Sequence, residues 1–149
     1  MQTEVYVATK KDAEILAEIE ASVFSDAWSP AAMDSHLDGV CSVALLLTAD
    51  GVPVGSLTGS LLAPEGEIYR VAVLPAYRRR GLARALLSAF LKTARAANVE
   101  ELFIEVRASN SAAQGLYRSF GFAEYGVRRN YYKAPNEDAV LMKLTLGED

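Results

Sequence analysis

Residues 69–87 read YRVAVLPAYRRRGLARALL, the order of an apolar strand, a basic turn that contains glycine, and the start of a helix. The first N–H groups of a helix have no intrahelical partner, and the helix macrodipole leaves them partly positive. Gly81 removes the side chain that would keep a phosphate away from this backbone. The neighbouring arginines stay charged at every working pH. The stretch therefore predicts a phosphate-binding turn.

The chain as a whole is acidic although this turn is basic. It has 15 Lys and Arg against 19 Asp and Glu, a formal net charge of −4. Four basic residues nevertheless lie within seven positions, namely Arg78, Arg79, Arg80 and Arg84. A local basic cluster on an acidic protein favours a compact anionic ligand over nucleic acid, and the alternative is a solvated helix end.

Length and composition indicate one domain, residues 1–149, in a reducing compartment. Hydrophobic residues make up 51% of the chain, enough to bury a core, and Cys41 is the single cysteine. No apolar run approaches the ~20 residues that cross a bilayer, and the first residues lack the order of a signal peptide. We therefore expect a soluble, cytoplasmic protein with no membrane partner.

The remaining pattern predicts a mixed α/β sheet with helices on both faces. Seven segments have the alternating or apolar character of strands: residues 4–8, 41–48, 52–62, 65–73, 101–106, 122–127 and 139–146. Four segments have the spacing and capping residues of helices: residues 9–23, 29–37, about 80–97 and 110–120.

The predicted strand at residues 101–107 reads ELFIEVR. Alternation puts its leucine, isoleucine and valine on one face and Glu105 on the other. A carboxylate in an apolar strand near the centre of a sheet must be paired or lie at a solvated cleft. Two interpretations stay open: a functional carboxylate, or a salt bridge with a cross-strand arginine such as Arg70.

Two further pairs of residues have both a functional and a structural interpretation. Asn110 begins a helix and Tyr117 lies two turns along the same face, so the pair can bind a ligand and protonate a leaving group. The alternative is a capping Asn and a core Tyr. Tyr131 and Tyr132 lie in a predicted loop, where they would close over a ligand or pack at a hairpin edge.

The pattern gives little support to nucleophile–histidine or metal chemistry. His36, the single histidine, is interpreted as an exposed helix residue with no other ligand at metal-binding spacing. Cys41 stands in an apolar run and is interpreted as a small buried hydrophobe. The basic turn also lacks the G-x-x-x-x-G-K-[ST] pattern of phosphoryl transfer. We expect no metal and no covalent enzyme intermediate.

Residues 71–83, VAVLPAYRRRGLA, resemble the acetyl-CoA signature of the GCN5-related N-acetyltransferases, whose pyrophosphate turn reads Q/R-x-x-G-x-G/A. Arg78, Gly81 and Ala83 meet that pattern. EVRASN at residues 105–110 and RRNYY at residues 128–132 resemble the family members that acetylate the N-terminal alanine of a small-subunit ribosomal protein. The resemblance implies the acyl-CoA N-acyltransferase fold, a mixed, centrally splayed sheet of about seven strands flanked by about four helices.

The resemblance also implies roles at the cofactor side. The backbone of one strand would bind the pantetheine and the acetyl carbonyl at Val71, Ala72 and Val73. The turn and helix start would hold the pyrophosphate of acetyl-CoA at Arg78, Arg79, Arg80, Gly81, Leu82, Ala83 and Arg84. Asn110 would bind the CoA arm.

At the acceptor side, the resemblance implies that Glu105 is the general base, directly or through water, and that Tyr117 is the general acid. Tyr131 and Tyr132 would line the entrance for a protein N-terminus, that of a ribosomal protein. Three alternatives stay open: an acetyltransferase for a small amine such as a polyamine, a module that senses acetyl-CoA without turnover, and an RNA-binding domain. The two catalytic side chains argue against the module, and the net charge argues against RNA.

Overall fold

A computed structural model describes residues 1–147 of the chain. Its strands are β1 (Thr3–Val7), β2 (Ser42–Ala49), β3 (Val52–Leu62), β4 (Glu65–Val73), β5 (Glu101–Arg107), β6 (Ala123–Tyr132) and β7 (Glu137–Thr145). Its helices are α1 (Ala13–Val23), α2 (Pro30–Leu37), α3 (Leu82–Ala96) and α4 (Ser111–Ser119). The strands form one mixed sheet in the order β1-β2-β3-β4-β5-β7-β6, which confirms the predicted fold class. Across the described range, no helix combines the length and the apolarity that crossing a bilayer requires.

The sheet opens at its centre, between β4 and β5. These two strands are parallel and pair only from Glu65 with Glu101 to Ile68 with Ile104. Beyond that point β4 follows β3, and β5 follows β7. Within the described chain, residues 69–73 therefore have no strand partner on the β5 side. The predicted central splay is confirmed.

Helices cover both faces of the sheet, as predicted. The larger core lies under α3, where Leu86, Leu87 and Phe90 are fully buried. The smaller core lies under α1 and α2 and contains the fully buried Leu16 and Met33. Burial of each such side chain stabilises the fold by about 1.5–3 kcal/mol. The two cores therefore stabilise the sheet from both faces, although its central strands separate.

A bulge in β4 turns two successive side chains toward α1 and α2. Thr58 of β3 pairs with Arg70 and Gly59 pairs with Ile68, so Tyr69 is the extra residue. Both Tyr69 and Arg70 consequently face the indole of Trp28, at 6.1 Å between ring centroids and 5.8 Å from the guanidinium carbon. The bulge re-aims these two side chains beside the splay.

A substitution of Gly59, beside this bulge, tests how tightly β3 packs against β4 and α3. A Cβ at Gly59 would collide with the Glu67 carbonyl oxygen and lie 3.0 Å from the Phe90 ring. We expect Gly59→Ala to lower the free energy of unfolding in urea by about 1–3 kcal/mol. Gly115 in α4 has no neighbouring atom within 4 Å of its Cβ position. The control Gly115→Ala should raise stability by about 0.5–1 kcal/mol. Equal stabilities of the two variants would contradict this packing.

The structure corrects the prediction of a loop at Tyr131 and Tyr132. Both tyrosines belong to β6, which continues to residue 132 instead of ending at 127. The register of β6 against β7 shifts between Arg128 and Tyr132, and Asn130 takes a positive φ of 51°. The polar run and the left-handed asparagine are typical of a loop, but here they form a bulge within a strand.

His36 and Cys41 also differ from the sequence interpretation. His36 is half-buried, with its ring centroid 5.1 Å from that of Trp28 and Nε2 at 3.2 Å from the Val43 carbonyl oxygen. The prediction that His36 is exposed was therefore wrong. Cys41 is half-buried and immediately precedes β2. Residues 1–147 bring together no group of three or more His, Cys, Asp and Glu side chains that could hold a metal ion.

Candidate active site

The turn between β4 and α3 leaves the start of α3 open. Gly81 is the N-cap residue of α3, with a φ of 75° and no side-chain capping bond. The first helical hydrogen bond runs from the Ala85 N–H to the Gly81 carbonyl at 3.1 Å. No atom from elsewhere in the described chain lies within 4 Å of the Cβ position of Gly81. An anion can approach the N–H groups at this helix start.

The arginines that precede Gly81 are exposed, and two of them contact the chain just before the turn. Arg78 Nε donates to the Val73 carbonyl at 3.3 Å, and the Arg80 guanidinium lies 5.5 Å from the centre of the Tyr77 ring. Arg79 takes a left-handed φ of 65°. The predicted arginine cluster therefore surrounds the turn, with its charge at the surface.

The side chains of residues 82–84, which follow Gly81, have different surroundings. Leu82 is buried in the core and Ala83 is half-buried, so the backbone is the part of each that a ligand could bind. Arg84 Nη1 donates to Ser119 Oγ at 2.8 Å, and its guanidinium lies 4.7 Å from the Phe120 ring centre. The Arg84 side chain thus ties α3 to α4.

Three residues of β4 lie along the open side of the splay. Ala72 is buried under α1 and α2, whereas Val71 and Val73 pack on the larger core under α3. Since β5 has diverged here, their backbone on that side offers N–H and C=O groups as the edge of a sheet does.

Glu105 lies at a cleft, and its partner is not the arginine considered from the sequence. Its side chain is 23% exposed, with Oε1 at 3.3 Å from Arg128 Nη1. The interaction of the Tyr131 hydroxyl with Glu105, followed by burial, raises the pKa of Tyr131. Arg70 instead pairs with Asp26 at 3.1 Å, because the β4 bulge turns it toward the end of α1.

A cavity of about 420 Å³ adjoins Glu105 and is lined by residues of β3, β4, β5 and β6. Its walls combine apolar rings with charged groups, including Glu65, Glu67, Phe103, Glu105, Tyr125 and Arg128. Burial first, and then the charge of Glu105, raise the pKa of Glu67, whereas Arg128 opposes the shift. With three glutamates and one arginine on its walls, the cavity is suited to an acceptor that carries positive charge.

Tyr117 is a core residue whose hydroxyl stays protonated. It is 5% exposed, and its ring centroid is 5.6 Å from that of Phe122. Burial first, and then Tyr132, raise the pKa of Tyr117 above its ordinary value. Burial, followed by the charge of Glu105, raises the pKa of Tyr132 to about 12. Tyr132 therefore lies close enough to both Glu105 and Tyr117 to interact electrostatically with each.

Asn110 caps α4, as its structural interpretation predicted. Its side-chain oxygen accepts a hydrogen bond from the Ala113 N–H at 3.1 Å. The cap fixes the amide at the helix start and uses its oxygen, which leaves the NH₂ group as the donor for a ligand.

Sequence reasoning missed Arg128 and Arg107 at this site. Arg107 lies 4.4 Å from the ring centre of Tyr132 and 3.7 Å from a carboxylate oxygen of Asp26. The alternation of β5 predicts that Arg107 lies on the same face as Glu105, but it does not give Arg107 a role. No local pattern relates Arg107 to Asp26 or Arg128 to Glu105, because each contact joins segments far apart in the chain.

Comparison with known proteins adds a family match and close relatives. Residues 13–122 match the model of the acetyltransferase (GNAT) family. The chain is 38% identical over 146 residues to N-alpha-acetyltransferase RimI of Mycobacterium tuberculosis, covering 94% of this chain and 90% of that protein. It is 40% identical over 103 residues to the ribosomal protein bS18-alanine N-acetyltransferase of Escherichia coli K12, covering 68% and 70%. The crystal structure of the ribosomal-protein-S18-alanine N-acetyltransferase from Escherichia coli matches the fold with a TM-score of 0.93 at 32% identity, covering 99% of this chain and 96% of that one.

Proposed function

This chain belongs to the acetyltransferase (GNAT) family and is an N-acetyltransferase, and we propose that it acetylates the N-terminal alanine of a small-subunit ribosomal protein with acetyl-CoA as donor. The observation that carries the proposal is the splay of β4 from β5, with Glu105 beside the gap and the uncapped start of α3 at its end. The acceptor follows the similarity to enzymes named for the alanine of bS18. The protein would then act in the cytoplasm, where ribosomes assemble.

The open turn and the splay fit the two ends of acetyl-CoA. The pyrophosphate would bind the N–H groups that follow Gly81, among the exposed arginines. The pantetheine and the acetyl carbonyl would bind the backbone of residues 71–73, which has no strand partner on the β5 side within the described chain. Asn110 would contribute its NH₂ group to the CoA arm.

The proposed chemistry is direct transfer. A protein N-terminal amine has a pKa of about 7.7–8.0, so a carboxylate such as Glu105 can take its proton, directly or through water. The free amine nitrogen then bonds to the thioester carbonyl carbon, the carbon–sulfur bond breaks, and the nitrogen loses its second proton to water, which leaves a neutral amide. Backbone N–H groups of residues 71–73 would bind the carbonyl oxygen while it gains charge. Tyr117 would give its proton to the departing sulfur.

Tyr131 and Tyr132 would form the wall of the acceptor entrance. Their rings pack edge to face, with centroids 5.1 Å apart. Glu105 raises the pKa of both tyrosines, and Tyr132 in turn raises that of Tyr117. The two rings would therefore line part of the path by which an acceptor approaches Glu105.

The Gly81 turn yields a prediction about the donor. We expect Gly81→Ala to raise the Kd for acetyl-CoA at least about tenfold, since a methyl group would occupy the open space and the φ of 75° disfavours alanine. Isothermal titration calorimetry measures the Kd. Gly51, in the β2–β3 turn, has a φ of 82° and equally open space. The control Gly51→Ala should bear the same backbone strain and keep the wild-type Kd. Equal Kd values for the two variants would contradict the assignment of the turn.

The acidic cavity supports a second candidate, acetylation of a polyamine. Glu65, Glu67 and Glu105 line it together, and a small polycation would satisfy them. The relatives named above favour the protein acceptor, so the polyamine ranks second.

Thiol release from acetyl-CoA separates these acceptors. A peptide that begins with a free alanine is compared with the same peptide blocked at its N-terminus, and with spermidine. The proposal predicts release with the free peptide and none with the blocked one. Release with spermidine alone would replace it by the second candidate. Tight binding of acetyl-CoA without release for any acceptor would indicate a sensing module.

A further inference from the structure

The loop between α1 and α2, residues 24–29, lies against the turn between β6 and β7, residues 133–136. Ser25 Oγ donates to the Ala134 carbonyl at 3.4 Å. These segments are distant in sequence and belong to different ends of the sheet. The β6–β7 turn directly follows Tyr131 and Tyr132, the two residues proposed to line the acceptor entrance.

Asp26, in this loop, bridges the two strands that separate at the splay. Its Oδ1 lies 3.1 Å from Arg70 Nη1 on β4, and its backbone carbonyl accepts from Arg70 Nη2 at 2.9 Å. Its Oδ2 lies 3.7 Å from Arg107 Nη2 on β5. The pairing of β4 with β5 ends before either arginine. The carboxylate of Asp26 thus links the strands where their backbones no longer do.

Each of these two arginines also forms an ion pair with a second carboxylate. Arg70 Nε lies 3.4 Å from Oε1 of Glu20, which is 1% exposed and also accepts the Trp28 N–H at 3.0 Å. Arg107 lies 3.4 Å from Glu137 Oε1. The two guanidinium groups are therefore fixed anchors, and Asp26 is the acidic group of the loop that engages both.

Arg107 extends this bridge to the acceptor entrance. Its Nη1 donates to the Pro135 carbonyl at 3.2 Å and its Nη2 to the Lys133 carbonyl at 3.3 Å. Its guanidinium carbon lies 4.4 Å from the ring centre of Tyr132. A shift of Arg107 would therefore move both the β6–β7 turn and the ring of Tyr132.

We propose that Asp26 is a positioning residue that sets the acceptor entrance by joining the α1–α2 loop to Arg107 and, through it, to the β6–β7 turn and Tyr132. The inference rests on the proposed function, because it concerns the acceptor of that reaction. Asp26 does not touch the reacting atoms. Burial opposes ionisation of this carboxyl, but the hydrogen bond and charge of Arg70, with Arg107, lower the pKa of Asp26. The bridge is therefore charged at neutral pH.

The first test is the effect of Asp26→Asn on KM and kcat. The change keeps the shape of the side chain and removes its charge. We expect the KM for a peptide that begins with alanine to rise about fivefold, with kcat and the KM for acetyl-CoA within about twofold of wild type. The control Asp34→Asn removes a carboxylate of similar exposure, 47% against 43%, which pairs with Lys10 on the far side of α2. The control should match wild type in all three constants.

Hydrogen exchange supplies a readout that does not depend on activity. Backbone amides of residues 132–137, apart from Pro135, should exchange at least about threefold faster in Asp26→Asn than in wild type or Asp34→Asn, because the turn loses its ionic link to the loop through Arg107 and keeps only the Ser25 contact. Unchanged exchange would overturn the proposal, and so would a loss of kcat at constant peptide KM. If wild type acetylates no peptide while exchange in Asp26→Asn rises as expected, the proposed function fails and the bridge stands.

Discussion

Glu105→Gln should lower kcat by about 10²- to 10³-fold, with the Kd for acetyl-CoA within about twofold of wild type. The amide fills the same space and can still meet Arg128 and Tyr131, but it cannot accept the proton of the acceptor amine. General bases contribute about 10²–10⁴ to enzymatic rates. A fall in kcat without a change in donor binding would place the loss at the chemical step.

The matched control for this variant is Glu101→Gln. Glu101 begins the same strand, points to the same face, and lies 3.6 Å from Lys143. The Glu101→Gln variant therefore replaces a glutamate that also has a basic partner, but one that does not line the cleft. Initial rates of thiol release measure both variants. A wild-type kcat in Glu105→Gln, or an equal loss in both variants, would remove Glu105 from its role.

Tyr117→Phe should lower kcat by about 10²-fold and leave the fold intact. The ring keeps its packing against Phe122, and the variant loses only the buried hydroxyl that stays protonated through the neutral range. We expect the lower end of general-acid effects, since a thiolate, with a thiol pKa of about 8.5, is already a fair leaving group.

Single-turnover rates measure this loss, and Tyr6→Phe serves as the control. Tyr6 is a partly exposed phenol of β1, three strands away from β4 at the edge of the sheet. The control should keep the wild-type rate. Wild-type turnover in Tyr117→Phe would show that another group, or water, protonates the sulfur.

The elements set by local chemistry could be predicted from the sequence. The bounds of β4 agree with the prediction because a turn at residues 63–64 precedes the strand and Pro75 follows its apolar end. Gly121 ends α4 with a φ of 101°, a conformation that glycine adopts readily. Where a single residue type decides the backbone, its position in the sequence suffices.

The contacts that complete the site depend on register, which local patterns do not fix. One extra residue in β4 directs Arg70 to Asp26, so the arginine considered for Glu105 is already engaged. A bulge in β6 then keeps Tyr131 and Tyr132 in a strand, following Arg128. Both bulges are settled by packing against distant strands, and so the ion pairs at the cleft follow from the assembled sheet.

The position of the transferred acetyl group distinguishes a protein N-terminal acetyltransferase from one that modifies side-chain amines. A peptide that begins with a free alanine and contains one internal lysine is incubated with the protein and acetyl-CoA, and tandem mass spectrometry locates the modification. We expect a single acetyl group on the α-amine of the alanine and an unmodified lysine. Acetylation of the lysine in place of the α-amine, or an unmodified peptide, would contradict it.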